Sequence, residues 1–130
     1  MSRSVPLSMQ LRQKIINYYL FNHLMTTTEK TYVATLVAFM CSASQTPKGI
    51  KCFGDTCREL GVSSRDVQAC TSKGPEFRIT MYKALRDMSP ADKKQAQQYL
   101  LKAALADGSD MAALIMNEVF VVCEMFDAVI

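Results

Sequence analysis

The sequence predicts an all-α protein, and three observations support this prediction. No stretch shows the strict alternation of apolar and polar residues that a half-buried β-strand requires. Only five glycines and four prolines occur among 130 residues, while good helix formers such as Ala, Leu, Met, Lys and Gln are common. Apolar residues recur instead at helical spacing along most of the chain. We therefore expect one α-helical domain, residues 1–130, folded as a compact bundle of about seven helices.

The elements follow from these spacings and from the turn residues between them. Residues 1–7 are expected to form a loose N-terminus, because Pro6 disfavours an early helix. A leading helix follows at residues 8–25, where Leu11, Ile15 and Tyr18 fall on one side. The other predicted helices lie at about residues 29–43, 50–60, 63–70, 76–88, 90–106 and 109–127.

Capping residues support several of these boundaries. Thr26 and Glu29 have the spacing of a capping box. The segment Ser89–Gly108 has the clearest signals, since Ser89 caps, a proline takes the first helical position, and Gly108 suits the left-handed end. It is the helix around which we expect the rest of the chain to be organised. The last helix, residues 109–127, is apolar nearly all round, which predicts a central, buried position.

An internal repeat appears when the sequence is offset by 63 residues. Glu29 then aligns with Asp92, and the apolar positions that follow each of them also align. The repeat predicts two related helix–loop–helix halves, residues 29–70 and 76–127, which share one core. The residues expected to be buried in that core are Val33, Leu36, Val37, Met40, Leu100, Ala103, Ala104, Phe120 and Cys123.

The second half resembles a known family. The sequence MYKALRDMSPADKKQAQQYLLKAALADG, residues 81–108, is similar to the TerB-like (tellurite-resistance) helical domains. The matching positions include Leu85, Ser89-Pro90, Leu100-Leu101 and Ala106-Asp107-Gly108. The resemblance implies a compact α-helical bundle that is not an enzyme and that acts in a stress response or in recruiting partners.

The chain departs from this family at its cation site. The family has acidic residues in the loops of both halves, but Ser44, Gln45, Lys51 and Leu114 stand at those positions here. Asp107 is retained, with Asp110 and Glu118 nearby in sequence as weak candidates for oxygen ligands. Calcium and magnesium prefer six or more oxygens, and Asp107 more simply caps a helix or holds a turn. We expect no metal ion and no cofactor.

Other chemistry-bearing residues have simpler structural interpretations. Cys52 and Cys57 lie five residues apart on a predicted helix, so they point in different directions and lack the second pair of a zinc site. His23 is the only histidine and has no nucleophile motif beside it. We therefore interpret the cysteines as buried apolar groups, His23 as a residue at the core's edge, and the protein as no enzyme.

Charge and cysteine usage bear on partners and location. Residues 1–52 carry six basic residues and one acidic residue, whereas residues 103–130 carry five acidic residues and no basic one. A basic front half suits an anionic partner, although an ordinary solvated surface gives the same pattern. Five cysteines without short paired spacings are typical of reduced thiols. With no secretory signal and no long charge-free apolar stretch, we expect a cytoplasmic protein without a membrane span.

Residues 53–73 offer an alternative function. Cys57, Leu60, Gly61 and Val67 have the pattern of a helix-turn-helix, although any two short helices joined at a glycine need similar inward residues. In this hypothesis the recognition helix presents Arg65 and Gln68 to base edges. The residues that would contact phosphates are Ser63, Ser64 and Lys73.

The favoured prediction is an intracellular protein-interaction or stress-response module of TerB-like type. Its partner is expected to be another protein or a second copy of the chain, with nucleic acid as the alternative. The last helix has more apolar residues than one helix face can bury. We therefore expect an exposed contact patch at Met125, Val129 and Ile130.

Overall fold

Six α-helices make up the part of the chain that the computed structural model describes, which is residues 25–125 together with Arg12. No strand occurs among these residues, so the all-α class is confirmed. The predicted leading helix, residues 8–25, lies outside the described residues except for Arg12 and Met25. The helices are α1 Thr27–Cys41, α2 Pro47–Leu60, α3 Ser64–Thr71, α4 Phe77–Arg86, α5 Pro90–Asp107 and α6 Asp110–Val122.

The caps predicted from the sequence are present. Thr26 and Glu29 form a reciprocal capping box: the backbone N–H of Thr26 donates to Glu29 Oε1 (2.9 Å), and that of Glu29 donates to Thr26 Oγ1 (3.1 Å). Ser89 accepts from the backbone N–H at position 92 (3.2 Å), beside Pro90 at the first helical position. Gly108 ends α5 with a φ of 75°, a left-handed conformation that glycine adopts without steric cost.

Two helix boundaries differ from the prediction. α2 begins at Pro47 and not near residue 50, because Thr46 caps it by accepting from the backbone N–H of Gly49 (3.0 Å). α6 ends at Val122 and not near residue 127, because Glu124 turns into the left-handed region with a φ of 55°. Proline is common in loops but is also favourable as the first residue of a helix. The cap at Thr46 makes Pro47 the first residue of α2.

The central helix is α1, which contacts each of the other five described helices. The prediction that the segment 89–108 organises the fold is wrong in this respect, since α5 packs mainly against α1, α2 and α6. The prediction of a buried last helix is also wrong, because only Ala112 and Val119 are buried within α6. An all-round apolar composition fits a buried helix and a helix that presents an apolar surface equally well.

The core contains nearly all the residues predicted for it. Eight of the nine are buried in a single hydrophobic cluster, and Phe120 packs against that cluster half-buried. On α2, Phe53 and Cys57 are only half-buried, whereas Thr56 is buried. None of the described helices combines the length and apolar character needed to cross a membrane.

Several helix ends recur at a spacing of 63 residues. The N-cap residues Thr26 and Ser89 begin α1 and α5, and Thr46 and Ser109 begin α2 and α6. The ends of α2 and α6 also correspond, because the N–H of residue 62 and the N–H of residue 125 each donate to the carbonyl five residues earlier at 2.9 Å. Both bonds belong to the same type of helix end, in which a left-handed residue follows the last turn.

Candidate functional site

Asp107 joins the two helical corners of the molecule. Its carboxylate accepts hydrogen bonds from the backbone N–H of Ser44, in the α1–α2 turn, and from that of Ser109, at the start of α6, each at 3.3 Å. The hydroxyl of Ser109 also donates to this carboxylate, while that of Ser44 donates to the backbone carbonyl of Asp107 (3.4 Å). Asp107 is only 5% exposed. It therefore acts as a structural clamp between the two turns.

These hydrogen bonds stabilise the negative charge of the Asp107 carboxylate. Burial by itself raises the pKa of Asp107, but the hydrogen bonds from Ser109 and Ser44 outweigh it and hold that pKa below the usual value. The carboxylate is thus ionised at neutral pH, with its oxygens directed at N–H and O–H donors. This environment fits a helix cap better than a ligand for a cation.

Asp110 and Glu118, the other two candidate cation ligands, have different contacts from those of Asp107. Asp110 is exposed in the first turn of α6, where an acidic side chain favours the helix dipole. Glu118 accepts from the hydroxyl of Tyr82 (2.8 Å) and from Arg78 (3.3 Å), and so ties α6 to α4. Within residues 25–125 no three His, Cys, Asp or Glu side chains are grouped as a metal site would need.

The cysteines of the described region are all free thiols. Cys41, Cys70 and Cys123 are buried, whereas Cys52 and Cys57 are half-buried. Burial is the largest cause that raises the pKa of Cys41 to about 12 and that of Cys123 to about 11. Because the thiolate is the reactive form, these two side chains act as small apolar groups at neutral pH.

The proposed recognition helix is α3, and its polar residues face solvent. Val67 is buried, which confirms its predicted inward position, and Cys70 is buried with it. Ser63 caps the helix, because its hydroxyl oxygen accepts from the backbone N–H of Asp66 (3.2 Å). Lys73 lies 4.5 Å from the centre of the Phe77 ring, a cation–π contact. The exposed residues of this surface include both the predicted DNA contacts and Asp66: Ser63, Ser64, Arg65, Asp66, Gln68 and Lys73.

The predicted contact patch at the end of the chain is not found where it was expected. Met125 is 1% exposed and belongs to the core, because Glu124 turns the chain and the Met125 carbonyl accepts from the buried Gln97 side chain (3.2 Å). Val129 and Ile130 lie outside the described residues. The prediction that Met125 is exposed is therefore wrong.

An exposed apolar surface lies instead on the body of α6, and exposed large apolar side chains also occur on other helices, at Phe39, Ile50, Ile79, Leu101 and Leu105. Leu114 is 62% exposed, and three further large apolar side chains of the same helix are exposed with it. Leu114 lies three residues after Met111, and Val121 lies seven residues after Leu114, so these side chains fall on one side of the helix. We call the set the α6 face: Met111, Leu114, Val121 and Val122.

The helix α2 shows that a helix with the same caps as α6 does not need an exposed apolar side. α2 and α6 share their capping pattern, with N-caps 63 residues apart. At the same offset, however, α2 presents charged side chains, and Ile50 is its one exposed large apolar residue. The residues of α2 that occupy the positions of the α6 face are Lys48, Lys51, Arg58 and Glu59.

Sequence reasoning found the excess of apolar residues in this region but assigned it to the wrong positions. The signal that identifies the α6 face is the difference between α6 and α2 at positions 63 residues apart: Leu114 stands where α2 has Lys51. A comparison of these two helices for charge, and not only for matching apolar residues, brings out this difference.

The chain was compared with models of known protein families, with curated proteins and with solved structures. None of them matches. The resemblance to TerB-like domains is consequently still a prediction.

Proposed function

We propose that this protein is a non-enzymatic interaction module that binds a protein partner through the α6 face. The observation that carries the proposal is the exposure of four large apolar side chains on a helix whose counterpart α2 is charged at the same positions. Exposed apolar area is unfavourable in water, and a contiguous patch of it typically marks a contact surface. A partner that covers the α6 face removes that area from water.

The proposal includes a TerB-like module in a stress response, with two helix–loop–helix halves. The recurrence of caps at a spacing of 63 residues supports two related halves. The resemblance to TerB-like domains also suggests why a protein contact would lie where those domains have their presumed cation site. In TerB-like domains the Ala-Asp-Gly motif is usually followed by a Glu seven residues after its Asp, as part of the presumed cation site, and here that position is the exposed Leu114. In this proposal the α6 face has become a protein contact.

The proposal is tested with the full chain and two matched variants. Leu114→Asp places a charge in the α6 face, while Ala69→Asp places the same charge on an exposed position of α3. We expect Leu114→Asp to abolish capture of partner proteins, measured by quantitative affinity purification, and Ala69→Asp to leave capture unchanged. Circular dichroism must show equal helicity for all three proteins. Equal capture by all three argues against the α6 face.

DNA binding through α3 is the second candidate function. The observation that favours it is that all five predicted contact residues are exposed beside a buried Val67 and Cys70, as a recognition helix needs. The exposed Asp66 weakens this candidate, because it places a negative charge among the proposed phosphate contacts.

A further inference from the structure

The helix α4 lies against both α1 and α6, at the groove between these two helices. On the α6 side, the carboxylate of Glu118 accepts hydrogen bonds from the Tyr82 hydroxyl (2.8 Å) and from Arg78 (3.3 Å). On the α1 side, Phe39 lines a cavity of about 280 Å³ together with Arg78 and Met81. Arg78, Met81 and Tyr82 are therefore residues through which α4 faces the α1–α6 groove.

A second groove lies between α2 and α5, the two helices that correspond to α6 and α1 at the offset of 63 residues. This α2–α5 groove has a volume of about 310 Å³, and the residues that line it all belong to α2 or α5. Asp55 and Lys102 hold the positions here that Glu118 and Phe39 hold in the α1–α6 groove. Among the described residues, no third helix lines the α2–α5 groove as α4 lines the other.

The segment that precedes α1 corresponds to α4, which precedes α5. Residues 8–24 lie outside the described residues except for Arg12, which is helical, as the predicted leading helix requires. At the offset of 63 residues, the three α4 residues that face the groove have Ile15, Tyr18 and Tyr19 as their counterparts. These three positions lie on one side of a helix. The segment thus carries large apolar or aromatic side chains at the positions that α4 uses for contact.

The chain enters α1 and α5 in the same way. Met25 is 3% exposed and comes directly before the N-cap of α1, whereas Met88 is 6% exposed and comes directly before the N-cap of α5. The helix α4 ends at Arg86, two residues before Met88. A helix that ends at His23 has the same short connection to Met25. The buried methionine therefore holds the end of the segment where the end of α4 is held in the other half.

One buried position differs between the two segments. Asn22 stands where α4 has Leu85, which is fully buried. The α2–α5 groove is also more polar than its counterpart, since Glu59 lines it at the position of Val122. A polar side chain loses less on entering a polar groove than an apolar one, because hydrogen-bond partners are available there.

We propose that residues 8–24 bind in the α2–α5 groove as a helix, in the way that α4 binds in the α1–α6 groove. In this arrangement the hydroxyl of Tyr19 donates to Asp55, as that of Tyr82 donates to Glu118. The Asp55 carboxylate is half-exposed and keeps room for a further donor beside its ion pairs on α2.

Burial of Ile15 and Tyr18 against α2 and α5 supplies the driving force for this contact. The hydrogen bond from Tyr19 fixes the register of the segment along the groove. The α6 face takes no part in the contact, so the proposed function and this arrangement can fail separately.

The thiol of Cys52 reports on the contact, because it lines the α2–α5 groove. The experiment alkylates the folded full chain with a maleimide and follows each cysteine by mass spectrometry of its peptide. We expect Ile15→Asp to release the segment and to raise the rate at Cys52 about tenfold or more. Asn17→Asp adds the same charge at the position of the exposed Thr80 of α4 and should leave the rate unchanged.

Cys57 is the internal control, since it is half-buried on the same helix but does not line the groove. Its rate should be equal in the unaltered chain and in both variants. An unchanged rate at Cys52 in Ile15→Asp overturns the proposal. So does an equal rise at Cys52 and Cys57, because that result shows a general loosening of the fold.

A photoreactive benzophenone amino acid in place of Tyr18 tests which surface the segment contacts. Irradiation of the full chain should join position 18 to peptides of α2 or α5 in the same chain, near Lys102, the counterpart of Phe39. A bond to α6, a bond to another copy of the chain, or no bond to α2 and α5 contradicts the arrangement. Loss of partner capture in Leu114→Asp is measured separately and does not depend on this result.

Discussion

The backbone N–H of Ser44 donates a hydrogen bond to the carboxylate of Asp107 over a distance of 3.3 Å, although the two residues are 63 positions apart in sequence. This spacing is also the offset between Thr26 and Ser89, the N-cap residues of α1 and α5. The two turns thus meet at corresponding positions, and Asp107 serves both of them at once. We therefore expect the hydrogen bonds of the buried Asp107 carboxylate to contribute measurably to the free energy of unfolding.

Replacing Asp107 with Asn should lower the free energy of unfolding by about 1–3 kcal/mol at neutral pH, because the ionised acceptor of several hydrogen bonds is lost. The folded-state pKa of Asp107 lies below the unfolded value of about 3.9. Its contribution is therefore present above that unfolded value and is lost as the pH falls through the folded-state pKa. Urea denaturation at several pH values measures both effects.

The control for Asp107 is Asp87→Asn, at an exposed carboxylate 3.9 Å from Arg86. Exposed ion pairs contribute little, so this change should lower the free energy of unfolding by no more than about 1 kcal/mol. Equal losses for the two variants would show that the clamp at Asp107 adds no stability of its own.

Leu100 and Leu105 form a matched pair on α5. Leu100 is fully buried beside α1, and Leu100→Ala should cost about 2–5 kcal/mol through lost apolar contacts and the cavity left behind. Leu105 is 74% exposed, so Leu105→Ala should change stability by no more than about 0.5 kcal/mol. Thermal or urea denaturation of both variants measures the difference, and a similar cost at both positions would contradict this core.

Alanine should have opposite effects on stability at Gly54, inside α2, and at Gly61, the C-cap of α2. A methyl group at Gly54 or at Gly61 would meet no atom within 4 Å, so packing does not distinguish them. Gly54→Ala should stabilise the helix interior by about 0.5–1 kcal/mol by reducing the entropy of the unfolded chain. Gly61→Ala should destabilise by about 1 kcal/mol, since its φ of 69° is unfavourable for alanine. Chemical denaturation that gives the same sign for both would refute this assignment of the helix end.

Divalent cations should bind no more tightly than millimolar. The oxygens of Asp107 accept hydrogen bonds from Ser44 and Ser109, and calcium or magnesium needs about six oxygen ligands. Calorimetric titration with calcium, magnesium and zinc checks this expectation. Micromolar affinity that disappears in Asp107→Ala would show that a cation site has been retained.

The DNA-binding alternative makes a separate prediction about salt. If α3 reads DNA, affinity should fall steeply with salt as phosphates release counterions, and Arg65→Ala and Gln68→Ala should each cost about 1–3 kcal/mol on the preferred sequence. We expect instead that fluorescence anisotropy shows no sequence-selective, salt-sensitive binding. Such binding by the unaltered chain would favour the regulator over the interaction module.

Local signals in the sequence determined the fold class and most helix boundaries. Thr26 and Ser89 act on amides three residues away, so their effect is visible in a short stretch of sequence. The buried positions of α1 and α5 were equally predictable, because residues such as Val37 and Leu100 recur with the helical period.

Only the tertiary structure decided which helix is central, which side of α6 is exposed and what Asp107 contacts. A helix that is apolar all round has no polar side to mark the solvent, so the exposure of Leu114 depends on where α1, α4 and α5 lie. The burial of Met125 likewise depends on a turn at Glu124, a residue type that rarely signals a left-handed conformation. Capping and periodicity act over a few residues, whereas solvent exposure depends on neighbours that are distant in the chain.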